Sequence, residues 1–180
     1  MLAVDGGIAM GRFWDKFRGS RYPDSGATPL PVADLRAALL ALNGSDVPFV
    51  VRDAQPEEQA DLVAEWRIAE PAWQTFFVRS QLDRQIRIRM RLVPGKREVR
   101  ALDEQWEVTW VGNTTKVPTL GKYSRGSTTT ISKQWTYERG PDGRRRRVET
   151  FSFDSREMKN PLRKTVLGAG WNWRGGVFNL

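Results

Sequence analysis

The sequence predicts a single α+β domain with a mainly antiparallel sheet of about six strands from three hairpins, with N-terminal, middle and C-terminal helices packed on one face. Three observations lead there. Ile86, Ile88, Met90 and Leu92 alternate strictly with Arg87, Arg89 and Arg91, which is the period-two pattern of a strand burying one side. Turn signals at Pro94-Gly95 and Gly140-Pro-Asp-Gly143 separate strand-like runs. Segments of helical periodicity precede, interrupt and follow those runs.

The elements follow in order. Phe13, Trp14 and Phe17 lie about one helical turn apart and make a short amphipathic turn, read either as docked on the protein's own core or as a membrane or partner contact. Residues 19–31 are a loop punctuated by Pro23, Gly26, Pro29 and Pro31. A helix is predicted over 32–42, with Val32, Leu35, Leu39 and Leu42 on one side and Asn43-Gly44 as its stop. The run 48–53 reads as a short buried strand, followed by an acidic loop carrying Pro56, Glu57, Glu58 and Asp61. Leu62, Ala64, Trp66 and Ile68 alternate with Val63, Glu65 and Arg67, so a returning strand is preferred over a competing helical face. Glu70-Pro71 opens a helix whose buried side is Trp73, Phe76, Phe77 and Leu82.

In the central hairpin, a two-residue turn at Pro94-Gly95 places Met90 opposite Val99 and Ile88 opposite Ala101, with Arg91 near enough to pair with Glu98. Trp106, Val108 and Trp110 run one step out of phase with Val99 and Ala101, and a bulge near 102–104 is the expected remedy. Residues 112–126 form a turn-rich connection. Thr129, Ile131, Lys133, Trp135 and Tyr137 make a half-buried strand that returns as 147–153. Asp154-Ser-Arg-Glu157 has capping-box spacing, and Asn160-Pro161 supplies a second start for a last helix over 162–167, closed by Gly168. The tail with Trp171, Trp173 and Phe178 is too apolar to dangle and should pack back on the sheet. The resulting division is an N-terminal extension and loop over 1–30, with an alternative start at Met10, and one α+β domain over 31–180.

Composition narrows the chemistry. At 180 residues and 39% hydrophobic, with 8 Trp and 8 Phe, the chain has enough apolar mass to fold as a single unit. It contains no Cys and no His, which removes disulfides, thiolate and imidazole metal sites, Cys nucleophiles and His-dependent triads. No cofactor or metal is expected and no catalytic residue is assigned. No apolar run reaches the roughly 18 residues needed to span a bilayer, and a cytoplasmic location is expected.

The net charge of +8 is concentrated. Residues 79–100 carry +6 and residues 139–147 carry +4, leaving −2 elsewhere, so the basicity is a local feature directed at an anionic contact. The candidate anion-binding residues are Arg87, Arg89, Arg91 and Arg100, because guanidinium forks match carboxylate and phosphate oxygens. The alternative for the same stripe is the solvated side of a half-buried strand. Three functions are carried forward. The first is a non-catalytic binding domain whose basic sheet face meets an acidic protein or a second copy of the chain. The second is a nucleic-acid-binding protein using Arg87, Arg89 and Arg91, with Trp side chains to stack bases. The third is a small-molecule carrier, or an enzyme working with carboxylates drawn from Glu65, Asp103, Glu104 and Glu107. Salt dependence separates the first two from the third.

The strings 61-DLVAEWRI-68, 98-EVRALDEQW-106 and 170-GWNWRG-175 resemble those of a family of uncharacterised actinobacterial proteins, Streptomyces-like and of high genomic GC content. The Arg-heavy basic complement, 22 of 29, fits such a source. The resemblance covers most of the chain after Leu30 and implies no activity, ligand or site residue.

Overall fold

The computed structural model describes residues 19–24, 26–68, 70, 72–73, 84–107, 109–111, 114–116, 124–125, 131–139, 141 and 143–176. The predicted turn at Phe13, Trp14 and Phe17, most of the helix after Pro71 and the last four residues lie outside that set. Among the described residues the helices and strands are β1 (Ser20–Arg21), α1 (Val32–Leu40), β2 (Phe49–Asp53), β3 (Leu62–Trp66), β4 (Arg84–Val93), β5 (Glu98–Glu107), β6 (Thr109–Val111), β7 (Thr114–Lys116), β8 (Ser124–Arg125), β9 (Ile131–Arg139), β10 (Arg145–Asp154), α2 (Arg156–Gly168) and β11 (Asn172–Gly175). The main sheet has the order β1-β11-β5-β4-β3-β2, with β8 also on β5, while β9–β10 and β6–β7 form separate ladders. All pairs are antiparallel except β11 with β5. The fold is α+β, as predicted.

One face of the sheet is the core. Ile86, Ile88 and Met90 of β4 lie opposite or beside Leu62, Ala64 and Trp66 of β3, Phe49 and Val51 of β2 and Val99 and Ala101 of β5, all buried. Leu35 and Leu39 of α1 and Met158, Leu162 and Val166 of α2 join the same cluster. Both helices therefore cover the face that the β4 alternation marks as apolar. Residues 62–66 form a strand, and Asn43, the stop of α1, holds β2 in place: its side-chain amide donates to the Val51 carbonyl and accepts from the Val51 N–H, both at 2.7 Å.

The tail packs back as expected. Trp171 and Trp173 are 2% and 1% exposed, and β11 lies between β1 and β5. Gly170 makes this possible, because its φ of +72° is left-handed and an added Cβ would lie 2.8 Å from Pro29 Cα. The Leu30 N–H donates to Ala169 O at 2.9 Å and the Trp171 indole donates to Leu30 O at 2.8 Å, clipping the loop before α1 to the turn after α2.

Three local expectations are corrected. The central turn is a 3₁₀ turn over Pro94–Lys96 followed by Arg97 at φ +47°, so Val93 faces Glu98, Met90 faces Ala101 and Ile88 faces Asp103. That register is two residues from the predicted one, which leaves the face of every side chain unchanged. Secondly, β4 and β5 pair without interruption from Val93–Glu98 to Arg84–Glu107, with no bulge after Ala101. The bulge in the described ladders is in β10, at Thr150 between Glu149 and Phe151. Thirdly, α2 is one helix with Pro161 inside it, and Asn160 is not a cap. Its first turn is fixed by the Asp154 carboxylate, which accepts from the Arg156 N–H at 2.8 Å, and by Met158 and Lys159, both buried.

The change of phase along β5 is met by side chains instead of a bulge. Asp103 and Gln105 fall on the core face, and Asp103 forms a buried ion pair with Lys159 of α2. Trp106 consequently falls on the arginine face, where the Arg87 guanidinium sits 4.7 Å from its ring centroid.

Candidate functional site

The second face of the sheet carries the arginines, arranged in rows set by strand register. Nearest the β4–β5 turn, Arg174 of β11, Arg100 of β5 and Arg91 of β4 are directly opposite one another. The next row is Leu102, Arg89, Val63 and Arg52, and the third is Arg125 of β8, Glu104, Arg87, Glu65 and Val50. Leu102 and Val63 are fully buried, and Arg89 and Glu104 are 8% and 2% exposed. This face is therefore not the plain solvated side of a half-buried sheet.

In the second and third rows the guanidinium groups of Arg52, Arg87 and Arg89 are engaged by carboxylates of the protein itself. Glu104 accepts from Arg87 Nη2 at 2.9 Å and Nε at 3.1 Å and pairs with Arg89 Nη2 at 2.8 Å. Glu58, carried over the face by the 3₁₀ turn between β2 and β3, takes both Arg52 Nη atoms at 2.8 Å and Arg87 Nη1 at 3.0 Å. Glu65 takes Arg52 Nε at 2.7 Å, and Arg89 also donates to the Glu58 carbonyl. Arg52, Arg87 and Arg89 are thus matched by Glu58, Glu65 and Glu104. These bidentate, charge-assisted contacts lock the guanidinium groups and leave two of the four candidate arginines committed to the protein itself.

The Arg52 pair holds the Glu58 carboxyl at about 2, well below its ordinary 4.5, with the Gln55 N–H and the charges of Arg52 and Arg87 acting in the same direction and burial opposing. Because the folded value is depressed, this carboxylate contributes stability that is complete above pH 4.5 and is lost as pH falls toward 2. Urea unfolding across that window is expected to show an acid-side decline in stability that Glu58→Gln flattens. A variant with the same acid slope as the wild type contradicts the assignment.

The first row is different. Among the described residues its carboxylate is Glu98, which accepts from Arg100 Nε at 2.9 Å and lies 3.5 Å from Arg174 Nη1. Arg91 contributes only a 3.3 Å bond to the Gln59 carbonyl, and does not pair with Glu98. Arg91, Arg100 and Arg174 stand side by side here, with Lys96 and Arg97 exposed on the adjoining turn. Of the predicted set, Arg91 and Arg100 belong to this cationic row, while Arg87 and Arg89 do not. Arg174 was missed because β11 lies far along the chain; the exposed-parity Arg between Trp173 and Gly175 was the available signal.

The carboxylates proposed for acid–base chemistry are separated. Asp103 is on the core face with Lys159, Glu104 on the opposite face, and Arg87 stands between Glu104 and Glu65; the Glu107 side chain lies outside the described residues. Among the described residues no group of three acidic side chains gathers that could hold a metal ion, and no helix is long and apolar enough to cross a membrane. No family model matches the chain, and no curated protein or solved structure shows significant similarity to it.

Proposed function

We propose that the protein is a non-catalytic cytoplasmic binding domain whose basic sheet face docks an acidic segment of a partner protein, through the row Arg91, Arg100 and Arg174 and the Lys96-Arg97 turn. The observation that carries this reading is the alignment of Arg174, Arg100 and Arg91 on adjacent strands, beside the exposed Lys96 and Arg97. Strands about 4.8 Å apart put the three groups within roughly 10 Å, the span of a few acidic side chains. A phosphate backbone asks for a longer basic track and free aromatic faces. Here Arg87 and Arg89 are held by Glu58 and Glu104, and Arg87 covers one face of Trp106.

Fluorescence anisotropy with an oligo-glutamate peptide tests the proposal. Binding at low salt, weakened by added salt and reduced about tenfold or more in Arg91→Glu with Arg174→Glu, is expected, because rim charges govern such contacts. Unchanged binding in the double variant, or no binding at low salt, sinks it. A single-stranded oligonucleotide of equal charge that binds more tightly than the peptide favours the nucleic-acid alternative.

A further inference from the structure

On the other side of the molecule, the outward side of α2 together with Tyr22, Asp24 and Ala27 encloses an open groove of about 980 Å³. Its floor is Asn160, Pro161, Lys164, Thr165 and Gly168, the helix positions that turn away from Met158, Leu162 and Val166 in the core. Tyr22, Ala27, Leu42, Pro161 and Leu167 supply apolar walls. The volume lies in the range of small-ligand sites, roughly 300–1,000 Å³.

One group in this groove is out of balance. Arg163 lines it, and its Nε is buried with no hydrogen-bond partner. Nor does any described carboxylate pair with its guanidinium. Asp103, whose charge favours that of Arg163, is already joined to Lys159. Burial lowers the Arg163 pKa, and the nearby positive charge of Arg21 lowers it further. Arg163 is half-buried and lines the groove, and an anion delivered there would supply the counter-charge that no described carboxylate gives it.

We propose that this groove binds a monoanionic amphiphile, a carboxylate with an aliphatic body, whose headgroup accepts from Arg163 and whose chain lies against Tyr22, Leu42 and Leu167. The chemistry of the walls selects this class. A polyphosphate would ask for more cations than Arg163 and Lys164 provide, and Asp24 on the same wall would repel it. A neutral lipid would supply no counter-charge to Arg163.

The proposal is independent of the basic sheet face, and calorimetric titration with decanoate and with the uncharged decanamide tests it. Decanoate is expected to bind with a dissociation constant on the order of 0.1 mM and decanamide about tenfold more weakly, one charged hydrogen bond being worth about that factor. Arg163→Gln should bring decanoate down to the level of decanamide, and Arg163→Lys should restore part of the difference. Ala27→Trp fills the groove from the exposed loop with Arg163 intact and should abolish binding of both. Arg91→Glu with Arg174→Glu should leave decanoate binding unaltered. Failure of decanoate to bind at millimolar concentration overturns the proposal, as does equal affinity in Arg163→Gln or in Ala27→Trp.

Discussion

Replacing Lys159 by Met is expected to lower the folding free energy by about 3–5 kcal/mol, the cost of leaving one member of a buried ion pair without its counter-charge. Lys159 and Asp103 are 6% and 5% exposed, between α2 and the core face of β5. Methionine fills nearly the same volume as the lysine stem, so the loss measures charge and not a cavity. The stranded Asp103 carboxyl would then favour its neutral form. Its destabilising effect applies while it is ionised, and the deficit of Lys159→Met should shrink as pH falls and the carboxyl takes up a proton. Adding Asp103→Leu removes the stranded charge and should recover most of the lost stability at neutral pH, since a buried pair is often no better than apolar residues of similar size. Urea midpoints of the two single variants and the double variant give the coupling directly. A cost below about 1 kcal/mol for Lys159→Met would mean that solvent reaches the pair.

That ion pair also marks the limit of what the sequence discloses. The alternation of Ile86, Ile88 and Met90 identifies the core face without ambiguity, and Leu62, Ala64 and Trp66 identify the strand beside it, because period two is a local signal. The loss of phase after Ala101 is equally visible. Its remedy is not, because an extra backbone residue and a polar pair between sheet and helix leave the same trace in the sequence, and the choice depends on Lys159, 56 residues away. Pro94-Gly95 similarly signals a turn but not its length, which depends on Arg97 accepting a left-handed conformation. Asn160-Pro161 has the form of a helix start, yet the helix passes through it, anchored from within by Met158 and Lys159.

The candidate site divides along the same line. Arg87, Arg89 and Arg91 are adjacent in sequence and project to one side, as their spacing requires. Whether each is available depends on Glu58 and Glu104, which arrive from 29 and 17 residues away. Glu58 stood in a segment legible only as an acidic loop. An excess of arginine on one strand beside an acidic connection on the same sheet was the one hint that the stripe is partly self-paired.

Glu104→Gln tests the division between the self-paired and cationic rows. Glu104 is 2% exposed and joins Arg87 and Arg89, so loss of its charge leaves Arg87 with Glu58 as its remaining described carboxylate and Arg89 with the Glu58 carbonyl. A destabilisation of about 2–4 kcal/mol is expected, since the amide keeps the shape and one acceptor but not the charge. The same change removes one negative charge from the second and third rows. Affinity for oligo-glutamate should therefore rise and its salt dependence steepen, so that stability and binding move in opposite directions. Because Glu58 and Glu104 both hold Arg87, either alone can still hold it when the other is lost. Glu58→Gln combined with Glu104→Gln should consequently cost more than the sum of the single changes. Equilibrium unfolding of the three variants, with anisotropy of the same samples under conditions where they remain folded, reads both effects. If Glu104→Gln lies within about 0.5 kcal/mol of the wild type, Arg87 and Arg89 have other partners and the balance of charge on this face must be redrawn.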